Sequence, residues 1–273
     1  MIMKSINPKK EINEKIERVK ERLRALGNVI VAFSGGKDSF FLLKIALETL
    51  GKENTIAFNV RSIFSTQNDA RRIDYFCRLL DFNLHRLAIN ITDEEKIMAN
   101  PKDRCYFCKK KIFTTLKSEA KKLGISNVLD GTTYSDLNEY RPGMKAIEEL
   151  GIFSPLLEAG INSTEIISSL RESLHVDEYY LTSSACLATR FPYNFPLDEN
   201  LLKRFDEIEA YFVAQGIYPI KVRYIPDGIR METPVKNFPS ILETREKILE
   251  FCKKQDMKFV TLDIEGIKTG VWD

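Results

Sequence analysis

The sequence holds few histidines, the residue that most often marks a metal or proton-relay site: His85 and His175 alone among 273 residues. Neither histidine stands in a motif, and both read as ordinary surface or core side chains. No apolar run approaches the roughly 20 residues that a membrane-spanning helix needs, which argues against a membrane partner. The first segment, Met1 to Lys20, is charged and lacks the apolar centre of a signal sequence. A cytoplasmic protein is therefore expected. Neither sign of charge dominates, because 41 Lys and Arg against 39 Asp and Glu leave a net +2. That balance excludes holding nucleic acid by bulk positive charge, while a local basic patch stays open. There is no internal repeat and no low-complexity tract. With hydrophobic residues at 44% and charged residues at 29%, the chain can bury a core in one large or two modest domains. Cysteine is scarce and odd in number: Cys77, Cys105, Cys108, Cys186 and Cys252. In a reducing compartment a disulfide framework is not expected, and a Cys-x-x-Cys pair points to metal or redox chemistry.

What is present is a regular alternation. Ile12, Ile16, Val19, Leu23 and Leu26 recur at steps of 4, 3, 4 and 3, so Glu11 to Leu26 reads as an amphipathic helix that Gly27 ends. The run Val29 to Phe33 is continuously apolar, as in a strand buried on both faces of a parallel sheet. A helix over Phe40 to Leu50 follows. Then come a strand (Thr55 to Val60), a helix (Thr66 to Leu80), a strand (Asn83 to Ile89), a helix (Cys105 to Leu123) and a strand (Ser126 to Asp130). Asn162-Ser163-Thr164-Glu165 has the form of a capping box. This order predicts an α/β doubly wound parallel sheet. Two prolines in Arg190 to Pro196 suggest a linker. Beyond it a helix (Leu201 to Gln215), two strands (Ile220 to Ile225, Gly228 to Glu232), a helix (Ser240 to Lys254) and a strand (Lys258 to Leu262) predict a smaller α+β domain. The expected domains are residues 1–193 and 194–273.

Ser34-Gly35-Gly36-Lys37-Asp38-Ser39 falls between a buried strand and a helix, where a nucleotide phosphate belongs. Backbone N–H groups at a helix N-terminus carry partial positive charge, and the two glycines let the backbone curl close to an anion. Ser34 and Ser39 offer hydroxyl donors, and Asp38 a carboxylate for Mg²⁺. The pattern is not a Walker A loop. A bare Gly-Gly turn is the plain alternative. The hexapeptide resembles the loop of the PP-loop ATP pyrophosphatases, Ser-Gly-Gly-x-Asp-Ser, which split ATP to AMP and pyrophosphate and activate an oxygen as its adenylate.

Cys105-Tyr106-Phe107-Cys108 opens a lysine-rich helix, and i, i+3 spacing puts both sulfurs on one side of a turn. A third cysteine, Cys186, stands in Ser183-Ser184-Ala185-Cys186-Leu187-Ala188-Thr189-Arg190. A zinc knuckle wants four ligands; three thiolates without a fourth suggest a [4Fe–4S] cluster with one open iron. Bystander thiols stay open as a reading. Cys77 and Cys252 fall on apolar helix faces and read as core.

Taken together, the chain resembles the LarE family, which supplies sulfur to the nickel-pincer nucleotide cofactor of lactate racemase. The resemblance runs from about Val29 to the C-terminus. It rests on Ser34 to Ser39, Asn100 to Lys109, Asp130-Gly131-Thr132, Glu139-Tyr140-Arg141-Pro142-Gly143, Ser154-Pro155-Leu156 and Cys186 to Tyr193. Asn194 departs from the family's usual glycine at that turn. The resemblance implies adenylation of pyridinium-3,5-biscarboxylic acid mononucleotide, then displacement of AMP by sulfur to give thiocarboxylates. It implies ATP, Mg²⁺ on Asp38, and Cys105, Cys108 and Cys186 as [4Fe–4S] ligands with a sulfide source. Asp38, Lys109 and Cys186 are the expected catalytic residues. ATP is expected on Ser34, Gly35, Gly36, Lys37, Asp38, Ser39, Arg61, Ser62, Gly131 and Thr132. Arg190, Lys221, Arg223 and Arg230 are expected at the substrate phosphate, with a solvated charged face as the alternative for the last three. Glu139 and Arg141 are read as bracing a turn. A homo-oligomer without stable nucleic acid is expected. The competing readings are Cys186 as a sacrificial sulfur donor, a [4Fe–4S] tRNA thiolation enzyme, and a non-catalytic nucleotide or cluster carrier.

Overall fold

The computed structural model describes residues 8–182 and 185–268. They divide into two units. The first comprises Met1–Arg61, Arg71–Ile89 and Cys105–Ser183; the second comprises Ser62–Ala70, Asn90–Arg104 and Ser184–Asp273. Two stretches of the N-terminal half thus belong to the second unit, which no single break near residue 193 describes.

The first unit is built on four parallel strands: β1 (Val29–Ala32), β2 (Thr55–Arg61), β3 (Asn83–Ala88) and β4 (Val128–Leu129), in the order β3-β2-β1-β4. Phe153 extends the sheet beyond β4 by a single bridge to Leu129. Consecutive side chains of β1 enter two different cores, which is why its sequence is apolar without alternation. Val29, Val31 and Phe33 pack with Val19, Leu23, Phe40 and Phe76 on one face. Ile30 packs with Phe113, Leu116, Val128 and Ile147 on the other. Each such side chain contributes about 1.5–3 kcal/mol by leaving water. The helix Pro8–Leu26 packs on the helix Lys37–Leu50 and the helix Arg104–Lys122 covers the opposite face. The expected capping box is present: Asn162 Oδ1 accepts from the Glu165 amide (3.0 Å) and Glu165 Oε2 from the Asn162 amide (2.8 Å).

The second unit carries a three-stranded sheet, β5 (Lys221–Ile225), β6 (Gly228–Glu232) and β7 (Phe259–Leu262), with β5 antiparallel and β7 parallel to β6. The helix Glu199–Ala214 packs on β5. The expected helix over Ser240 to Lys254 is two, Phe238–Glu243 and Arg245–Lys254. The Thr244 hydroxyl donates back to the Ser240 carbonyl, and such back-bonding bends a helix at that point.

The expected linker at Arg190 to Pro196 is instead part of the second unit's core. Phe191 is fully buried, with ring centroids 4.8 Å from Phe205, 5.5 Å from Phe195 and 5.8 Å from Tyr224. The segments 62–70 and 90–104 are joined to this core by backbone bonds: Leu187 to the Phe64 carbonyl (3.0 Å), Asn194 to Asn100 (2.8 Å) and Leu197 to Met98 (2.8 Å). Asn194 adopts φ +64°, a left-handed conformation that asparagine tolerates better than most residues. Among the described residues no helix is long and apolar enough to cross a membrane.

Two outcomes follow from this packing. Phe191→Ala leaves a ring-sized cavity and is expected to cost about 3–5 kcal/mol in chemical denaturation; a loss near zero would restore the linker reading. Burial pushes the Cys252 thiol up to about 11. The folded-state value is raised, so the stability contributed by the neutral thiol is present below about pH 8.5 and is lost as pH rises through the folded value. At about pH 8, where the thiolate is the reactive form, Cys252 is expected to resist N-ethylmaleimide until the unit unfolds. Peptide mass spectrometry checks this, and rapid labelling of the native protein would contradict it.

Candidate active site

The strand order explains where the site forms. The chain leaves β1 toward β2 and β3 on one side and returns to β4 on the other, so the connections after β1 and β4 meet at a topological switch point. Residues 34–36 follow β1, and residues 130–132 follow β4. Their approach is close: a Cβ on Gly131 would lie 2.7 Å from the Ser39 amide nitrogen and 2.8 Å from its Cα. Only hydrogen fits at residue 131.

The loop itself is knit together by its hydroxyls. Gly35 takes φ +84°, a left-handed conformation that favours glycine. The Ser34 and Gly36 amides donate to Ser39 Oγ and Ser34 Oγ (both 3.3 Å), and Ser39 Oγ donates to the Gly36 carbonyl (3.0 Å). Ser34 Oγ and Ser39 Oγ lie 3.2 Å apart. Lys37 is buried, and its ammonium donates to both Asp38 oxygens at 2.8 and 2.9 Å. Burial pushes the Asp38 carboxyl above the ordinary carboxylate range; Lys37 opposes the shift, Asp136 adds to it and Arg141 opposes it. A loop with amides, two hydroxyls and one carboxylate at a helix N-terminus is suited to a polyphosphate with its cation.

A second set of charges stands beside the loop. Asp130 is buried and accepts from Ser154 Oγ (2.6 Å), the Thr132 amide (3.3 Å) and the Thr132 hydroxyl. The Lys109 ammonium lies 3.7 Å from its Oδ2. Arg141 bonds Asp136 at 2.9 Å and Glu139 at 2.7 Å. Burial acts to lower the Arg141 guanidinium, but Asp136, Glu139 and Cys105 outweigh it and the net shift is upward. Cys105 and Cys108 are half-buried on the first two turns of the helix Arg104–Lys122. Arg61 ends β2 and is exposed. The sequence shows Ser154 in a motif without a role; the bridge from β4 to Phe153 is what brings its hydroxyl to Asp130.

The second unit holds the remaining candidates. Ser62 is half-buried, and its hydroxyl accepts from the Phe64 amide (3.2 Å). Cys186 is half-buried, with Arg104 Nη2 at 3.9 Å from its sulfur. Arg104 is itself buried and bonds the Asn100 side chain, whose Nδ2 donates to the Pro192 carbonyl (2.9 Å). Arg190 and Arg223 are enclosed rather than presented to solvent. Arg190 grips Glu209 through Nε (2.6 Å) and Nη2 (2.9 Å). Arg223 is 0% exposed and donates to Glu232 (3.1 Å) and the Thr189 carbonyl (2.6 Å). Arg230, opposite Arg223 in the β5–β6 register, donates to the other Glu232 oxygen at 2.9 Å. Lys221 is buried, with Nζ 3.1 Å from the Lys268 carbonyl. The set is therefore not a solvated face. Glu209 and Glu232, the carboxylates that organise it, carry no motif signal in the sequence. Among the described residues no three His, Cys, Asp or Glu side chains gather as a metal-holding group.

A side chain at residue 131 must push the loop helix away from β4. Gly131→Ala is expected to weaken ATP binding at least about tenfold, or about 1.4 kcal/mol, measured by isothermal titration calorimetry. Unchanged affinity would separate Gly131 from the nucleotide site.

Comparison with known proteins finds relatives that match nearly the whole chain. A family model described as NAD synthase matches residues 10–121, which carry β1 to β3, the 34–39 loop and the Cys105–Cys108 pair. A pyridinium-3,5-bisthiocarboxylic acid mononucleotide synthase of Lactiplantibacillus plantarum is 30% identical over 248 residues, 91% of this chain and 90% of that protein. An uncharacterized protein of Synechocystis is 28% identical over 261 residues, 95% of this chain and 97% of that one. One component of a glutamine-hydrolyzing GMP synthase from Methanosphaerula palustris is 26% identical over 173 residues, 63% of this chain and 54% of its own length. With a phosphate loop at the switch point and a likeness spread over nine-tenths of its length, the chain belongs to the LarE family of PP-loop enzymes and is an ATP-dependent sulfur transferase.

Proposed function

We propose that this enzyme adenylates the carboxylates of pyridinium-3,5-biscarboxylic acid mononucleotide and converts them to thiocarboxylates, a step of nickel-pincer nucleotide synthesis for lactate racemase. The observation that carries the reading is the loop of amides and hydroxyls at Ser34 to Ser39, closed on one side by Gly131 and flanked by the Lys109–Asp130 pair. The relative from Lactiplantibacillus plantarum, whose name states the product, supports the substrate class.

The chemistry follows from a weak electrophile. A carboxylate resists nucleophiles, so one of its oxygens first attacks the α-phosphorus of ATP and pyrophosphate leaves. The acyl-adenylate then has AMP as a good leaving group; a sulfur nucleophile adds to the carbonyl carbon and the C–O bond to AMP breaks. Two rounds give the bisthiocarboxylate. The loop amides and the hydroxyls of Ser34 and Ser39 receive the pyrophosphate charge as it develops. Asp38 would hold Mg²⁺, which when bound would offset phosphate charge, with Lys37 bracing the Asp38 carboxylate. Lys109 neutralises the phosphate of the adenylate. Arg61, Ser62, Gly131 and Thr132 serve the nucleoside. Lys221 and Arg230 serve the substrate's phosphate, and Arg190 and Arg223 act with Glu209 and Glu232 to brace them.

For sulfur, thiolate is the usual ligand of an iron–sulfur cluster, and the half-buried thiols of Cys105, Cys108 and Cys186 support that reading by donor type alone, since the described residues do not gather three such side chains in one group. Cys105, Cys108 and Cys186 would hold a [4Fe–4S] cluster, which when bound supplies a reusable sulfide.

Two variants separate the two halves of the reaction. Asp38→Ala is expected to abolish AMP formation, by at least about 100-fold, while anaerobically purified protein keeps its iron. Wild-type AMP formation in that variant would remove Asp38 from the site. Cys108→Ala is expected to lose iron, acid-labile sulfide and sulfur transfer yet still form AMP. Sulfur transfer by an iron-free Cys108→Ala protein, at the cost of one sulfur from Cys186, would replace the cluster with a sacrificial cysteine.

A further inference from the structure

Lys109 arrives at the site by an unusual route. It lies on the second turn of the helix Arg104–Lys122, and its aliphatic stem crosses the start of another helix, Gly143–Glu149. A Cβ on Gly143 would lie 2.7 Å from Lys109 Cδ, 3.2 Å from Cγ and 3.3 Å from Cε. The backbone at Gly143 is not left-handed, so the glycine is not required by the turn. It is the first residue of a helix, where alanine is the better helix former. What glycine provides there is a floor on which the lysine stem rests. At the far end of the stem stands Asp130, buried, oriented by Ser154 and Thr132 and 3.7 Å from the ammonium. Asp130 precedes Gly131, whose backbone lies against Ser39.

We propose that Gly143 and Asp130 are positioning residues that aim the Lys109 ammonium at the phosphate loop, Gly143 by clearing a path for the stem and Asp130 by anchoring its charge. The proposal rests on the reading of Lys109 as the cation for the adenylate phosphate. It gives the glycine of Tyr140-Arg141-Pro142-Gly143 a role that a turn alone does not need. It also explains why a buried carboxylate is kept beside a phosphate site that it would otherwise repel.

The test uses the full-length enzyme with ATP and pyridinium-3,5-biscarboxylic acid mononucleotide, reading pyrophosphate release for Lys109→Ala, Gly143→Ala, Asp130→Asn and the combinations with Lys109→Ala. A displaced cation of this kind costs about 10- to 100-fold in kcat, and the KM for ATP is expected to move less than about threefold because the loop still binds the triphosphate. Gly143→Ala is expected to keep or raise the melting temperature while losing that rate. In the Lys109→Ala background neither second substitution is expected to lower the rate further. Acylation of Lys109 by an N-hydroxysuccinimide ester, followed by mass spectrometry, is expected to speed up in both single variants. Wild-type turnover in Lys109→Ala would overturn the role of Lys109 itself. An impaired Lys109→Ala beside fully active Gly143→Ala and Asp130→Asn would overturn the positioning proposal alone. Equal losses from Gly143→Ala with and without Lys109 would also overturn it, since they would reveal a structural effect.

Discussion

The close approach of Gly131 to Ser39 is the constraint on which the first unit's site depends. It exists because β1 and β4 are neighbours in the sheet although about a hundred residues separate them in the chain. Parallel pairing carries both strands' carboxyl ends to one edge, and the switch in strand order opens a crevice there. With no side chain at residue 131, the backbone after β4 lies directly on the first turn of the loop helix. The same edge carries Asp130 and, through the bridge to Phe153, Ser154. A phosphate loop and a set of charged side chains thereby share one crevice although distant stretches of the chain supply them.

The charges in that crevice are arranged in pairs. Lys37 is matched by Asp38, Lys109 by Asp130, and Arg141 by Asp136 and Glu139. A near-neutral chain can therefore gather three cations in one crevice without a broad basic surface. Each pair leaves its cation held in one place, and a preoriented cation stabilises developing charge better than a mobile one. The upward shift of Asp38 reflects the same crowding: burial is the largest cause and Asp136 a further one.

The second unit solves a different problem, that of enclosing arginine. Arg190 and Arg223 are buried against Glu209 and Glu232, and the β5–β6 register places Arg230 on the second oxygen of Glu232. A buried pair of this kind is weak evidence for stability, because desolvation opposes the attraction. It does fix geometry, and a guanidinium held by a carboxylate and a carbonyl has little freedom left.

The hydrophobic pattern alone determined much of the fold. Continuous apolar β1, the helix-strand alternation and the Asn162–Glu165 cap are local, and each acts through its own neighbours along the chain. The phosphate loop was legible for the same reason, since its glycines, serines and carboxylate are contiguous. Tertiary structure decided the rest. Pro192 and Pro196 looked like a linker because proline breaks helices, yet the ring of Phe191 just before them is buried among Phe195, Phe205 and Tyr224. The segments 62–70 and 90–104 joined the second unit through backbone bonds that no side-chain pattern encodes. Glu209 and Glu232 carried no motif signal, and Ser154 stood in a motif without a role, because Arg190, Arg223 and Asp130, their respective partners, are 19, 9 and 24 residues away. Spacing reports what a short segment can do by itself; only the packing of sheet on helix decides which distant charges meet.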